Sequence, residues 1–406
     1  MAEVGAPTLA EREAAALCAT YQRAPVTLVR GSGCYVETDD GRQLLDLVGG
    51  IAVNVVGHCH PEVVEAASAQ LRQLVHTSNL YYTEPQVRLA ERLSATAFPG
   101  RVFLCNSGAE ANEAAIKVAR KWGQLNRHGA HTILTLEGAF HGRTLGTLAA
   151  TGNAHYSDPF RPMPPGFRQL PRGDAAAVER ALADREDPAV AVMAEPVQGE
   201  SGVFALEDSY LLQLRELCDR YQALLILDEI QSGMGRTGLM WAHQHSGAVP
   251  DVMTVAKGLG GGLPLGATLV GERADVLGPG DHGSTFGGNP VAAAAGLAVL
   301  DVIERDRLGA RATICGEQFR ELLLGLRQRG LPVAEVRGRG LFLGVGLSAP
   351  IAPEVARLAL EDGVLVNAIG LDTLRLVPAL VISDDDVALA VSVLGWALGR
   401  AAGALA

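Results

Sequence analysis

The sequence predicts an α/β fold, with a mainly parallel sheet covered by helices on both faces and a smaller α+β unit towards the C-terminus. Two observations lead there. Between residues 101 and 256, short apolar runs alternate with helix-period segments. Strands buried on both faces read as near-continuous apolar runs, and helices between them allow parallel crossovers. Beyond about residue 310 the order changes to helix, antiparallel pair, helix, short strands and a last helix, the grammar of an α+β unit.

The elements follow in order. Residues 1–60 read as an N-terminal arm with short strands around Gly33–Gly41, belonging with the small unit. Residues 61–75 are amphipathic and begin with Pro61, a residue suited to a first helical turn. Apolar runs at 101–105, 131–136, 189–194, 224–227 and 252–256 are the sheet candidates, and 109–124 is a helix. After Asn289-Pro290 comes a long Ala/Val/Leu helix, then a helix over 311–328. Residues 333–336 and 341–346 pair about the turn Arg337-Gly-Arg-Gly340. This divides the chain into the arm 1–60, a large unit 61–309 and a small unit 310–406.

Composition narrows the function. Charged residues are 19% and apolar residues 48%, as in soluble globular proteins. A net charge of −11 opposes an electrostatic grip on nucleic acid or anionic lipid. Six cysteines without CxxC spacing read as reduced thiols of a cytoplasmic chain. The adjacent residues of His58-Cys59-His60 cannot all converge on one tetrahedral ion, so no metal is expected. No apolar run of membrane length and no basic-then-apolar leader is seen, so no membrane partner is expected.

The chain has only three lysines, Lys117, Lys121 and Lys257, against many arginines. Lys257 stands between an apolar run and a glycine loop. An amine with an accessible neutral form can condense with an aldehyde, which arginine cannot do. Lys257 is therefore a candidate anchor for a carbonyl cofactor, or a solvated loop lysine.

Other polar residues also follow apolar runs. Asn106-Ser107-Gly108, Glu137–His141, Glu195, Asp228 and Lys257 each stand after one. Ligands of open parallel sheets bind at the carboxyl ends of strands, so five segments deliver chemistry to one edge. Ser107-Gly108-Ala109-Glu110 opens a helix, either as a phosphate cup or as a plain N-cap. Phe140, between glycines, offers a ring for stacking or belongs to the core. Asp228 needs a cationic partner, a protonated ring nitrogen or an arginine. Gln231 could donate to a ring hydroxyl, and Ser284 and Thr285 offer hydroxyls to a phosphate or substrate. No GxxxxGK[ST] phosphate loop is present, and Gly278–Gly283 matches GxGxxG without the strand–helix context that pattern needs.

With these residues assembled, the chain resembles the class III aminotransferases of the aspartate-aminotransferase-like fold, fold type I of the pyridoxal-phosphate enzymes. The resemblance runs through Asn106-Ser-Gly-Ala-Glu-Ala-Asn-Glu113, Ala139-Phe-His-Gly-Arg143, Glu195-Pro-Val-Gln-Gly-Glu200, Leu227-Asp-Glu-Ile-Gln231, Gly233-Met-Gly-Arg-Thr-Gly238, Ala256-Lys257, His282–Pro290 and Leu374-Arg-Leu-Val-Pro378. It implies pyridoxal 5'-phosphate, held covalently by Lys257. Asp228 would face the pyridine nitrogen, Gln231 the ring oxygen and Phe140 the ring face. Ser107, Gly108 and Ala109 would hold the phosphate. Thr285 would reach the phosphate of a neighbouring subunit, making the active unit a homodimer with shared sites.

The resemblance is narrower to the branch that takes N2-acetyl-L-ornithine and 2-oxoglutarate and releases L-glutamate. Arg143 and Ser284 would contact the acylated ornithine. Arg375 would hold the α-carboxylate of glutamate, with Glu195 masking Arg375 in the other half-reaction. Succinylornithine, ornithine or 4-aminobutyrate as donor, or a non-transaminating enzyme of the same fold, are the alternatives. Members of that branch commonly carry threonine where Ala109 stands; alanine loses the hydroxyl and keeps the N–H.

Overall fold

A computed structural model describes residues 7–403; the first six residues of the expected arm and the last three of the small unit lie outside them. The central sheet has seven strands: β1 Gly100–Cys105, β2 Thr132–Leu136, β3 Phe167–Leu170, β4 Ala189–Ala194, β5 Leu224–Asp228, β6 Val252–Val255 and β7 Gly266–Gly271. Their order is β1-β7-β6-β5-β4-β2-β3. The pairs β6–β5, β5–β4, β4–β2 and β2–β3 are parallel, and β7 runs antiparallel to both neighbours.

β2, β4 and β5 are buried at every position, as their continuous apolar sequences require. Two strands go beyond the sequence reading. β3 is half-buried at the sheet edge and carries polar residues, so its apolar pattern is weak. β7 follows the turn at Gly260–Gly262, where Gly261 and Gly262 have φ of +57° and +108°. Glycine adopts such angles without strain, and the glycine loop thereby reverses the chain into the sheet.

Helices α1 Pro61–Gln73, α2 Gly108–Asn126, α3 Pro290–Arg305, α4 Leu308–Gln328 and α5 Asp384–Gly403 cover the sheet and build the C-terminal part. α2 lies against β1, β4, β6 and β7, and α3 against α1. A second sheet joins Leu28–Ser32, Tyr35–Thr38 and Gln43–Asp46 to Val364–Leu365. The N-terminal strands thus share a sheet with a strand from near the C-terminus. A third, antiparallel sheet orders Val333–Arg339, Phe342–Leu347, Thr373–Leu376 and Asn367–Ile369. Arg375 lies within it, across from Gly344 and Asn367.

One apolar cluster runs from Val55 and Leu89 through Val299 to Phe319 and Leu394. Against the sequence reading, α5 is long and apolar enough in composition to cross a membrane. Its Val387, Ala390, Val391, Leu394 and Leu398 face is instead buried in this cluster, with α5 packed on α4 and on Ala352–Glu361. A core helix passes the same compositional test as a membrane span.

α4 packs on the hairpin turn at a glycine. A Cβ on Gly316 would stand 2.1 Å from the Gly340 carbonyl oxygen, so the helix can approach only because that atom is missing. Gly325 of the same helix has open space at its Cβ position. Gly316→Ala is expected to lower stability by about 1–3 kcal/mol through overpacking. Gly325→Ala is expected to be neutral or to stabilise by up to about 1 kcal/mol through helix propensity. Urea midpoints of the two variants should therefore move in opposite directions or differ clearly.

Candidate active site

The carboxyl ends of β5 and β6 and the N-terminus of α2 surround a cavity of about 430 Å³. Its lining includes Ser107, Gly108, Ala109, Phe140, Arg143, Glu195, Asp228, Gln231 and Lys257. Nine residues singled out from sequence therefore meet in one place. Ser284, Thr285 and Arg375 are not part of that lining.

Asp228 ends β5 with 4% of its surface exposed. Its Oδ2 accepts from Asn112 Nδ2 at 2.7 Å and lies 2.8 Å from His141 Nδ1, and its Oδ1 accepts from the Ile230 N–H at 3.0 Å. A buried carboxylate needs such donors. Asn112 is itself fixed: Thr254 Oγ1 donates to its Oδ1 at 2.7 Å, and its Nδ2 also donates to the His141 carbonyl at 2.7 Å. That bond orients the amide with its NH₂ towards Asp228. Oδ1 retains capacity for another donor.

Lys257 opens a short 3₁₀ turn after β6, with φ +43°, a left-handed angle rare for a side-chain-bearing residue. Burial pushes its pKa down to about 8, against the opposing charge of Glu200. A neutral amine is thus accessible near neutral pH.

Ser107 caps α2 by accepting from the Glu110 N–H at 3.2 Å. Both sequence readings of this segment are compatible: the side chain is an N-cap, and the N–H groups of Gly108 and Ala109 occupy the first turn, where helices leave donors unpaired. A larger residue in place of Gly108 would have to displace the Ile230 side chain. A Cβ there would come 2.8 Å from Ile230 Cδ1.

Phe140 lines the cavity and meets Tyr156 edge-on, with ring centroids 6.1 Å apart. The Arg143 guanidinium carbon lies 3.8 Å from the Tyr156 ring centroid and 5.5 Å from that of Phe140. This places an exposed cation at the cavity rim.

The expected pairing of Glu195 with Arg375 is corrected. Arg375 Nη1 donates to Glu200 Oε1 at 2.6 Å and to Gln231 Oε1 at 3.2 Å, and its Nε donates to Asn367 at 3.1 Å. Glu195 Oε1 instead accepts from the Phe140 N–H at 2.7 Å. Burial, with Asp228 nearby, pushes the Glu195 pKa well above the ordinary range, so it is poorly suited to serve as an anion. Burial also opposes ionisation of Glu200, but Arg375 and Lys257 hold its pKa below the usual value. Gln231, expected at a ring oxygen, is shared with Arg375.

Ser284 Oγ accepts from Asn106 Nδ2 at 3.1 Å and from the Gly287 N–H at 2.9 Å. Thr285 is exposed, beside a separate small cavity lined by Asn79 and Gln86.

Asn112, His141, Thr254, Glu200 and Tyr156 went unassigned from sequence. Asn112 and His141 lie inside motifs already singled out, but only the fold brings them to Asp228. Among the described residues no cluster suited to a metal ion is found.

The donor set fits pyridoxal phosphate. Lys257 supplies the amine, Asp228 a buried carboxylate with spare capacity, and Phe140 a ring face. The Gly108 cradle and the α2 N-terminus suit a phosphate.

The family model described as Aminotransferase class-III matches residues 17–398. The acetylornithine aminotransferase of Mycolicibacterium smegmatis is 48% identical over 398 residues, 97% of this chain and 99% of that protein. In the crystal structure of N-acetylornithine aminotransferase from Stenotrophomonas maltophilia K279a, the identity is 39% and the TM-score 0.83, over 95% of this chain and 98% of that one. An ornithine aminotransferase structure from Toxoplasma gondii, with partial occupancy of PLP at its active site, gives 32% and 0.92, over 97% and 94%.

The depressed Lys257 pKa sets a pH expectation. Its neutral, reactive fraction rises as pH rises through about 8, whereas an ordinary lysine needs pH near 10.4. Trapping a small aldehyde on the cofactor-free protein with cyanoborohydride, followed by peptide mass mapping, should label Lys257 half-maximally near pH 8. A midpoint shared with Lys117 and Lys121 would contradict the burial argument.

Proposed function

Because the chain belongs to the class III aminotransferases, we propose that it moves the δ-amino group of N2-acetyl-L-ornithine to 2-oxoglutarate, with pyridoxal phosphate as cofactor. The products are N-acetyl-L-glutamate 5-semialdehyde and L-glutamate, a step of arginine biosynthesis. The observation that carries this reading is the single cavity into which Lys257, Asp228, Phe140, Arg143 and the α2 N-terminus converge. Relatives that are 45–48% identical over nearly their whole length carry the same activity in their names.

Pyridoxal phosphate, when bound, supplies an aldehyde that condenses with amines and a ring that accepts the electron pair left when a proton is removed. The protein residues do the rest. Lys257 would hold the aldehyde carbon, and Asp228 would keep a proton on the ring nitrogen. Phe140 would pack on the ring face, and Ser107, Gly108 and Ala109 would hold the phosphate. The neutral Nζ of Lys257 would be the base that takes a proton from the carbon bearing the transferred nitrogen, and the resulting ammonium would return that proton to the cofactor's former aldehyde carbon.

Two arginines sort the substrates. Arg143, at the rim, takes the α-carboxylate of N2-acetyl-L-ornithine, with Ser284 beside the acylated end. Glutamate and 2-oxoglutarate have two carboxylates. The second is received by Arg375, whose bond to Glu200 must open to admit it. Alternating the two partners in one cavity gives ping-pong kinetics.

The proposal includes a cytoplasmic homodimer with shared sites. Leu80, Tyr81, Tyr82 and Phe286 are exposed, Tyr82 completely. They neighbour a groove of about 1040 Å³ that includes Asn79, Phe103, His282 and Ser284. A second copy covering this face would bury them and bring Thr285 to its phosphate. The division into arm 1–60, large unit 61–309 and small unit 310–406 is part of the same reading.

Borohydride reduction and peptide mapping should find one pyridoxyl group, on Lys257. Among N2-acetylornithine, succinylornithine, ornithine and 4-aminobutyrate, the first should show the highest kcat/KM; a clear preference for another would reassign the donor. Arg375→Ala should weaken the glutamate half-reaction by about 2 kcal/mol, roughly thirtyfold, as expected for a lost hydrogen bond to a charged group. The acetylornithine half should change much less. Single-turnover spectra of the two halves make the comparison, and equal losses would remove the assignment.

A further inference from the structure

The two lysines that play no part in the cavity both reach one loop. Lys117 and Lys121 lie one turn apart on the same face of α2. Lys117 Nζ donates to the Asp281 carbonyl at 2.5 Å and to His282 Nδ1 at 3.0 Å. Lys121 forms an ion pair with the Asp281 carboxylate, which also accepts from the Gly278 N–H at 2.5 Å. The His282 ring lies tilted against that of Phe103 of β1, with centroids 4.6 Å apart. Just beyond, Ser284 is pinned by Asn106, and its carbonyl accepts from Asn79 at 2.8 Å. Thr285 comes next, exposed, and its hydroxyl bonds no other described residue.

We infer that Lys117 and Lys121 are positioning residues for the cofactor phosphate of the partner subunit: they clamp the loop at Asp281-His282 so that Thr285 is presented across the subunit boundary. The inference rests on the dimeric pyridoxal-phosphate reading above. A compact ammonium with three donors can serve a carbonyl and a ring nitrogen together. The planar fork of arginine, used at most other basic positions of this chain, is built for flat anions. Each contact is weak alone, since exposed ion pairs contribute little. Their convergence on two adjacent residues gives the loop one position. α2 therefore has two duties. Its N-terminus faces the cavity of its own subunit, and its middle turns hold the loop that the partner uses.

Hybrid dimers test this, built from two differently tagged subunits of which one carries Lys257→Ala. Only the other subunit can then be fixed to pyridoxal phosphate by borohydride, so the trapped fraction against cofactor concentration reads a single site without any turnover. Placing Lys117→Met and Lys121→Met on the Lys257→Ala subunit damages the loop donated to the live site. The apparent dissociation constant should rise about fivefold to tenfold, the scale of about 1–1.4 kcal/mol. Placing the same pair on the live subunit leaves intact the loop that the live site receives from its partner, and the constant should change less than twofold. Thr285→Ala on the Lys257→Ala subunit should reproduce the first result. An equal effect in both arrangements, or an effect only in the second, overturns the clamp. General loss of fold would lower both arrangements alike and counts against it too. A wild-type dimer that trapped no pyridoxal phosphate would overturn the reading beneath it.

Discussion

The site depends on keeping one carboxylate charged in a place that disfavours charge. Asp228 ends a strand buried at every position, and only neighbouring donors make an anion tolerable there. They come from three separate elements. Asn112 belongs to α2, His141 to the loop after β2, and the Ile230 N–H to the turn after β5 itself. Thr254 of β6 fixes the Asn112 amide. Asp228 is thus tied to α2, β6 and the loop after β2, and moving any of these would disturb the carboxylate that a pyridine nitrogen would meet.

The same low-dielectric setting acts in the opposite direction on Lys257. Burial makes the ammonium costly and lowers its pKa to about 8. The same environment therefore favours a neutral amine at Lys257 and surrounds the Asp228 carboxylate with specific partners. Glu195 lacks a comparable donor set, and its pKa is raised by burial and by Asp228. Burial thus acts on both groups in the same sense, towards the neutral form of Lys257 and of Glu195.

Arg375 and Arg236 show two fates of buried arginine. Arg375 has carboxylate and amide partners and sits on a strand whose neighbour supplies Asn367. Arg236 is fully buried and donates through Nη1 to the Leu341 and Pro378 carbonyls, while its Nε and Nη2 have no partner among the described residues. Burial alone pushes its pKa down, to about 9. It links the loop after β5 to two C-terminal segments, the second three residues beyond Arg375.

Much of this was legible in the sequence, because strand period and motif order are local properties. The apolar runs located β1, β2, β4, β5 and β6, and the polar residue after each run marked the edge where the cavity forms. The glycine loop after Lys257 hid β7, since its return into the sheet is decided by pairing with β1 and β6 rather than by its own composition. The choice between Glu195 and Glu200 was equally out of reach. Both glutamates occur in one six-residue motif, and only the turn after the Val197–Gln198 strand directs the second to Arg375. The sequence by itself determined which chemical groups the chain carries and at which strand ends. Tertiary structure decided which of them touch, because ion pairing and desolvation act over a few ångströms of space and take no account of distance along the chain.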